Sequence, residues 1–278
     1  MSRCCWLFGL SRQAYYQSKA RYQARQKVLS QVKPLVLQIQ KEMPRIGTRK
    51  LYYLLKEDFN HLGIKIGRDS FFDYLRSESM LIKPKKNYTK TTNSKHWMKK
   101  YPNLIKDHLP QKPEECFVSD ITYIKSRERT HYLSLVTDAY SRKIMGYQLS
   151  DDMSAESVVK ALQMAIKNRK SKEVLIHHSD RGLQYCSSIY QKELRKNGIK
   201  SSMTDGYDCY QNALAERING ILKQEFLVHK CNTQKELQLL IKESIDTYNN
   251  KRPHLSLKMK TPNFIHEKAE ENIPFGYN

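Results

Sequence analysis

The sequence predicts a mixed α/β domain preceded by a basic, mostly helical region. Beyond Pro113 the chain alternates strand-like and helix-like segments, an order that is typical of a layered α/β fold. Residues 1–112 hold 24 Lys and Arg against 7 Asp and Glu, a net of +17, whereas residues 113–278 hold 25 against 21, a net of +4. Such a positive first part indicates a polyanionic partner such as nucleic acid. The length of 278 residues suits about two ordinary domains.

The first 82 residues are expected to be helical. Residues 11–42 are rich in Gln, Lys and Arg with scattered aliphatic residues, which predicts one or two basic helices. Two short helices around a glycine turn at 61–67 should follow, with apolar faces marked by Leu51, Leu54, Leu55, Phe71, Phe72 and Leu75. In a basic setting this pattern is typical of a helix-turn-helix-like DNA contact, with Arg49 and Arg68 as candidate DNA ligands. A plain helical hairpin is the alternative.

A basic linker is expected at residues 83–112. Its first part, residues 83–101, holds seven Lys and no acidic residue, together with Tyr88, Trp97 and Tyr101. The segment is either a solvated tether or a strand that lies along DNA phosphates with rings available for stacking, and the two descriptions are compatible. The candidate phosphate ligands are Lys85, Lys86, Lys99 and Lys100.

The core is predicted at residues 113–248, and residues 249–278 are expected to form a C-terminal tail. Period-two alternation with short turns predicts three consecutive antiparallel strands at 116–125, 131–140 and 142–150. A helix at 154–169 opens with Ser154. A short buried strand at 173–180 ends at Asp180, and a helix from residue 187 closes at Gly198.

Three acidic residues in unlike contexts are candidate ligands for Mg²⁺, which prefers oxygen ligands. Asp120 lies within the first strand, Asp180 just past a strand end, and Glu216 on a helix expected at 211–226. Each has a simpler alternative: an edge-strand acid that faces water, a turn former, and a solvated helix face, respectively. Spacing alone decides little, because 28 of 278 residues are acidic.

Two further positions bear on the chemistry. Lys223 shares a helical stripe with Glu216 and Gly220, so a carboxylate and a lysine two turns apart could serve one metal and one phosphate. His177 and His178 suggest zinc or a general base, but no third ligand stands at a zinc-site spacing. A hydrogen bond to a metal-binding Asp is the alternative for these histidines.

The remaining composition points to a reducing compartment. The six cysteines form no C-x-x-C pair, so free thiols are expected. No apolar run reaches the roughly 18 residues of a membrane helix, and the short apolar patch at residues 4–10 lacks a signal-peptide cleavage site. A cytoplasmic location without membrane contact is therefore predicted.

Four segments resemble the successive motifs of bacterial insertion-sequence transposases of the OrfB type, in the DDE group related to retroviral integrases. They read FVSDITYI, YLSLVTDAYSRKIMGY, HHSDRGLQY and NALAERINGILKQEF. Outside them, LFGLSRQAYY resembles the family's opening region, RIGTRKLYYLL its helix-turn-helix-like segment, and YNNKRPHLSLKMKTPNFI its closing segment. The resemblance covers nearly the whole chain in the family's order.

This resemblance implies an RNase H-like core in which Asp120, Asp180 and Glu216 are the catalytic metal ligands for Mg²⁺, with Mn²⁺ able to substitute. Asp138 would be a turn-flanking acid outside this triad, and Lys223 matches the lysine seven residues after the family's glutamate. Five other residues fit motif positions: Gly182, Gln184, Tyr185, Asn212 and Ala213. Gln211 departs from the Asp that many relatives have at this position, a difference that bears on the hydrogen bonding of its loop.

The implied function is transposition: cleavage at the ends of a mobile element and joining to target DNA, in the bacterial cytoplasm in association with the nucleoid. The implied partners are double-stranded DNA and further copies of the chain on that DNA. Because the family often works as a fusion to an upstream frame that carries a helix-turn-helix, such a partner or fusion is also expected. The alternatives are a non-catalytic DNA-binding regulator made from a transposase frame and a Mg²⁺-dependent RNA–DNA hybrid nuclease.

Overall fold

The computed structural model describes residues 6–82, 97–106, 110–205 and 212–268. The candidates Lys85, Lys86 and Gln211 lie outside these residues, as does Tyr88. The chain divides into two compact units, Met1–Lys83 and Pro84–Asn278.

The first unit is helical, as the sequence predicts. Its elements are α1 (Arg12–Glu42), α2 (Thr48–Leu54), α3 (Lys56–His61) and α4 (Arg68–Ser77). A single helix thus spans the stretch where one or two were expected. It begins where the Ser11 side chain accepts a hydrogen bond from the backbone of Ala14, and it buries only Leu29, Val32 and Val36.

The expected pair of short helices is wrong in one respect, because the first of them is two helices. Leu55 separates α2 from α3, and α4 follows the glycine turn. Gly63 adopts a positive φ of 64° in this turn, a conformation that glycine reaches without steric cost. Three rings, Tyr52, Phe59 and Phe71, then pack with centroids 5.6 to 6.2 Å apart, which joins the short helices in one small core.

The second unit is built on a five-stranded mixed sheet in the order β3-β2-β1-β4-β5. Its strands are β1 (Cys116–Lys125), β2 (Thr130–Asp138), β3 (Ile144–Ser150), β4 (Ile176–Ser179) and β5 (Lys200–Met203). The pairs β1/β2 and β2/β3 are antiparallel, which confirms the predicted meander, whereas β4 and β5 run parallel to β1. β5 was not predicted.

Helices cover both faces of the sheet. One face carries α5 (Ala155–Lys167), the short α6 (Leu183–Cys186) and α7 (Ser188–Lys196), which pack on Phe117, Val136 and Met145. The other face carries α8 (Ala213–Ile221), whose Ala215 packs with Cys116 and Val118. Adjacent residues of β1 therefore point into different cores.

The chain beyond α8 is more ordered than the expected helix and tail. At Leu222 the helix changes to a π-helical turn, Leu222–Phe226, where a continuous α-helix was expected. Helix α9 (Gln234–Asn250), a 3₁₀ turn (Leu255–Leu257) and α10 (Pro262–Lys268) follow, and α9 packs against α10. The described part of residues 249–278 is thus folded onto the second unit.

Within the described ranges, no helix is both long enough and apolar enough to cross a membrane. Cys116, Cys186 and Cys231 are free thiols.

Candidate active site

Strand pairing brings Asp120 and Asp180 near each other. β1 is the central strand, so the alternative that Asp120 is an edge-strand acid is wrong. β1 and β4 pair in parallel with Val118 opposite His178 and Ser119 opposite Ser179, and the residue that follows this last pair is Asp120 on one side and Asp180 on the other. Side-chain alternation within β1 places Asp120 on the sheet face that α8 covers, because Val118 packs there.

Three side chains attach α8 and the π-helical turn to β1. Asn212 Nδ2 donates to the backbone oxygen of Ser119 at 3.1 Å, and Asn219 Nδ2 donates to Asp120 Oδ2 at 2.7 Å. Farther along, Lys223 Nζ donates to Thr122 Oγ1 at 3.1 Å. Because Glu216 lies between the first two attachments, the helix carries it along the same strand as Asp120.

The three acids act on one another electrostatically. Burial, together with the negative charges of Asp180 and Glu216, raises the pKa of Asp120 to about 7, although the hydrogen bond from Asn219 opposes the shift. Burial and the charge of Asp180 also raise the pKa of Glu216. Without a cation, the three carboxylates therefore destabilise one another's charged forms.

Asp180 shapes the turn that follows β4 and also faces the site. Its Oδ1 accepts a hydrogen bond from the backbone N–H of Gly182 at 3.0 Å, which is the turn-forming contact considered for this residue. A Cβ at position 182 would lie 3.1 Å from the same oxygen, so the loop passes close to the carboxylate. Asp180 keeps part of its surface accessible, and Glu216 is exposed.

The described residues contain no group of three or more His, Cys, Asp or Glu side chains that could already hold a metal ion. The carboxylates of Asp120, Asp180 and Glu216 are thus within electrostatic range of one another but not in a finished coordination shell. Their chemistry nevertheless suits a divalent cation, because carboxylate oxygens are hard ligands. A bound cation would also offset the repulsion between the three negative charges.

The π-helical turn places Lys223 next to this site. Its Nζ stands 4.2 Å from the ring centroid of Tyr123, in addition to its contact with Thr122. Burial lowers the pKa of Lys223, and the negative charge of Asp120 opposes this effect. The site therefore combines acidic groups with a half-buried lysine, as its motif position implies.

His177 and His178 are buried and hydrogen-bond to hydroxyl groups. His177 Nε2 lies 2.7 Å from Ser119 Oγ and 2.8 Å from Tyr190 Oη, and His178 Nδ1 lies 2.9 Å from Ser202 Oγ. Burial lowers the pKa of His177 to about 3, so the ring is neutral near pH 7. His177 thus supports the strand behind Asp120 as a neutral hydrogen-bonding group.

Asn219 is the residue at this site that sequence reasoning missed. Besides donating to Asp120, it is buried, and its own Oδ1 accepts no hydrogen bond from the part of the chain that the structure describes. Its position three residues after Glu216 was the available signal. Tyr185, a motif residue, is buried, and burial raises its pKa, with smaller contributions from the charges of Asp120 and Asp180.

Two other residues of the resembling motifs form structural hydrogen bonds. Gln184 donates to the backbone oxygen of Met153 at 3.0 Å. Asp138 ends β2 and accepts hydrogen bonds from the backbone and side chain of Ser141, both at 2.6 Å, in the turn that follows. This contact agrees with the turn-flanking role that the resemblance implied.

The candidate DNA ligands outside the candidate active site differ in their surroundings. Lys99 and Lys100 are exposed on the second unit, where Lys99 Nζ lies 5.5 Å from the ring centroid of Tyr101. In the first unit Arg49 is exposed, and Arg68 forms an exposed ion pair with Asp69 at 2.9 Å.

Family comparison covers most of the second unit. Residues 110–209 match a family model described as "Integrase core domain", and residues 197–262 match a second model with the same description.

Two relatives match over more than two thirds of their length. The chain is 34% identical over 275 residues to the insertion element IS600 uncharacterized 31 kDa protein of Shigella sonnei, a match that covers 96% of this chain and 98% of that protein. It is 30% identical over 226 residues to transposase InsF for insertion sequence IS3A of Escherichia coli (strain K12), which covers 80% of this chain and 77% of that protein.

A solved structure has the same fold. It is the cryoEM structure of the simian T-cell lymphotropic virus intasome in complex with PP2A regulatory subunit B56 gamma, which aligns with a TM-score of 0.51 at 18% identity. The alignment covers 87% of this chain and 78% of that chain. At this identity the likeness concerns the fold, and it confirms the expected RNase H-like mixed sheet with flanking helices.

Proposed function

Since the chain belongs to the IS3-type insertion-sequence transposases of the integrase-like DDE group, we propose that it cuts and joins DNA strands at a metal site formed by Asp120, Asp180 and Glu216. It is a transposase, an enzyme of the polynucleotidyl transferase type. The transposase relatives favour this enzyme over a non-catalytic regulator made from the same frame.

One observation supports the triad most directly: the charges of Asp180 and Glu216 both raise the pKa of Asp120. The three residues come from a central strand, the loop after a parallel strand, and a helix that crosses the first strand. Ligands commonly bind near the carboxyl ends of strands in open α/β sheets, which is where Asp180 lies.

Mg²⁺, or Mn²⁺ in its place, is the cofactor we propose. When bound, divalent ions would activate the attacking oxygen and stabilise the leaving oxygen of an in-line displacement at phosphorus. Asp120, Asp180 and Glu216 would hold them, since the donor set consists of carboxylate oxygens.

The neighbouring side chains have distinct roles in this proposal. Asn219 binds one oxygen of Asp120 and so fixes the rotation of the carboxylate. Lys223 places a positive charge beside the acids, where a substrate phosphate would need to lie. No side chain of the proposal becomes covalently bonded to DNA.

Double-stranded DNA is the proposed partner, and α1 offers a surface for it. Residues 6–41 contain seven Lys and Arg and no Asp or Glu, and Tyr16 and Tyr22 are exposed on this helix. One of these seven, Lys33, pairs with Glu78 at 2.8 Å, whereas both arginines of α4 form ion pairs with acids of their own helix, Arg68 with Asp69 and Arg76 with Asp73. We therefore place the main DNA contact of the first unit on α1.

Further DNA contacts are proposed at the basic linker, where Lys99 and Lys100 are exposed. Lys85 and Lys86 of the linker are proposed to contact DNA as well. In the first unit, Arg49 is a further proposed DNA ligand. Assembly of several copies on the element ends, a helix-turn-helix partner or fusion from an upstream frame, and a location at the bacterial nucleoid complete the proposed setting.

The test replaces each acid singly by its amide: Asp120→Asn, Asp180→Asn and Glu216→Gln. The purified variants and wild type receive Mg²⁺ and duplex DNA carrying the element ends, and strand cleavage, strand transfer and DNA affinity are measured. Each variant should lose cleavage and strand transfer by at least about a thousandfold while its DNA affinity stays within about threefold.

The matched control is Glu243→Gln, since Glu243 is also an exposed glutamate on a helix of the second unit. It should cleave like the wild type. Wild-type cleavage by any of the three triad variants would exclude that residue from the site, and cleavage of an RNA–DNA hybrid in preference to duplex DNA would favour a hybrid nuclease.

A further inference from the structure

Arg252 is a charged residue in an unusual place. It lies just beyond α9 in the closing segment of the chain, and only 2% of its surface is exposed. Its Nε and Nη2 donate to the two carboxylate oxygens of Glu225 at 2.8 and 2.6 Å, a bidentate pair. A buried charge persists in a fold only when it is paired in this way.

The guanidinium is also held on its other sides. Its Nη1 lies 2.9 Å from His254 Nε2, and its carbon lies 5.8 Å from the ring centroid of Tyr248. The Tyr248 and His254 rings meet edge to face with centroids 5.1 Å apart. Arg252 therefore has one orientation available, and that orientation directs it at Glu225.

The segment that carries Arg252 is fixed to the sheet. Asn249 accepts from the backbone N–H of Ile144 at 2.9 Å and donates to the backbone oxygen of the same residue at 3.0 Å. Tyr248 Oη donates to the backbone oxygen of Arg142 at 2.9 Å. Arg252 thus projects from a platform joined to the start of β3.

Glu225 belongs to the π-helical turn that carries Lys223. Short π-helical segments are rare and often occur at functional sites, because their wider turn changes the direction in which side chains project. Here the turn directs Lys223 towards Thr122 and Tyr123 on the strand of Asp120. The residue bound by Arg252 lies only two positions farther along the same turn.

We propose that Arg252 is a positioning residue that holds the π-helical turn through Glu225, so that Lys223 meets a DNA phosphate beside the carboxylates. Arg252 acts at a distance and is not a catalytic residue. The inference rests on the proposed function, in which Lys223 contacts DNA. It gives the closing segment of the chain a role in the active site, although it lies outside the predicted core.

If Arg252 had only a structural role, replacing it would weaken DNA binding equally whether or not Lys223 is present. The test is therefore a double-mutant cycle. The variants are Arg252→Lys, Lys223→Gln and the two combined. Lysine keeps the charge but cannot make the bidentate contact. Affinity for a duplex oligonucleotide of arbitrary sequence is measured without divalent metal and at several salt concentrations, since a phosphate contact does not depend on sequence or on catalysis.

Alone, Arg252→Lys should weaken DNA binding about three- to tenfold and reduce the salt slope by up to about 0.9, the value for one lost phosphate contact. In the Lys223→Gln background it should change affinity by less than about twofold, because the contact is already absent. Backbone amide exchange at 222–226 should accelerate in the Arg252→Lys protein.

The matched control is Arg169→Lys, because Arg169 is also a largely buried arginine beside a glutamate, Glu114 at 3.9 Å. It should leave DNA affinity unchanged. If Arg252→Lys does not fold, Glu225→Gln breaks the same ion pair with less loss of hydrogen bonding and replaces it in the cycle.

The outcomes separate the two proposals. Equal effects of Arg252→Lys with and without Lys223, or an equal effect of Arg169→Lys, would overturn the positioning role while leaving the proposed function standing. If Lys223→Gln alone leaves both the affinity and the salt slope unchanged, the DNA contact of Lys223 in the proposed function fails, and the positioning role fails with it.

Discussion

Replacing Asp120 by Asn should stabilise the metal-free protein while abolishing its activity. The folded protein raises the pKa of this carboxyl from 3.8 to about 7. The folded pKa lies above the unfolded one, so ionising Asp120 lowers the free energy of unfolding. The wild type therefore has its full stability below about pH 4 and loses part of it as the pH rises through about 7. Asn has a similar shape, carries no charge, and still offers an oxygen to the Asn219 amide.

The size of the effect follows from that difference in pKa. Each tenfold change in the acid constant corresponds to about 1.4 kcal/mol, so full ionisation in the folded state costs about 4 kcal/mol. Asp120 keeps part of its surface accessible, and solvent screening reduces the expected value to about 2–3 kcal/mol. At pH 8 the variant should exceed the wild type by this amount, and near pH 4 the gain should fall below about 1 kcal/mol.

The assay is urea unfolding of wild type and Asp120→Asn in a chelating buffer, from pH 4 to pH 8. The Glu243→Gln control should change the free energy of unfolding by less than about 0.5 kcal/mol, because Glu243 is exposed. A variant that is equally stable or less stable above pH 7, or a gain that is the same at every pH, would refute the argument that burial and the neighbouring carboxylates disfavour the charged form of Asp120.

Three other predictions concern packing, DNA contact and metal. Gly146→Ala should destabilise the protein by about 3 kcal/mol in urea unfolding, because a Cβ there would lie 2.1 Å from a backbone oxygen of α5. Its control is Gly220→Ala, where a Cβ would have no neighbouring atom within 4 Å. This variant should be as stable as the wild type or more stable by up to about 1 kcal/mol. Changing Lys99 and Lys100 to Gln should weaken binding to all DNA sequences alike and lower the salt slope by up to about 1.8 for two phosphate contacts; an unchanged slope would leave the linker a tether. Mg²⁺ at a hundredfold its dissociation constant should stabilise the wild type by about 2.7 kcal/mol but Asp180→Asn by much less, as measured by thermal unfolding; equal stabilisation of both would place the ion elsewhere.

Strong periodicity made part of the fold predictable. The period-two pattern of residues 116–125 predicted β1 with the bounds that the structure has, and Ser154 predicted the start of α5. Both signals are local: alternating burial across a pleat and a side chain that caps a helix. The resemblance of the motifs supplied the fold family, which no single element could.

Elements whose stability comes from distant partners were not predictable. β5 is four residues long and includes Ser201 and Ser202, so its pattern resembles the end of a helix. The structure shows that it pairs with β4. The π-helical turn likewise has a distant partner, because its Glu225 binds Arg252, which lies 27 residues farther along the chain. No local sequence pattern predicts this turn.

The site residues divide in the same way, into those with a local sequence signal and those that depend on distant partners. The strand and loop contexts of Asp120 and Asp180 identified two candidates, and in the structure both acids directly follow the last residue pair between β1 and β4, Ser119 with Ser179. Asn219 was missed because an uncharged residue within a helix carries little signal, and its partner Asp120 lies 99 residues away in sequence. Position relative to Glu216 was informative only once the partner was known.

The most direct test of the central claim is a titration of the protein with Mn²⁺, followed by electron paramagnetic resonance of the free ion. The wild type and Glu243→Gln should bind the ion equally, whereas Asp120→Asn, Asp180→Asn and Glu216→Gln should each weaken binding at least about tenfold, because the three carboxylates share the ion. Unchanged affinity in all three amide variants would show that the metal binds elsewhere and that these acids do not form the active site.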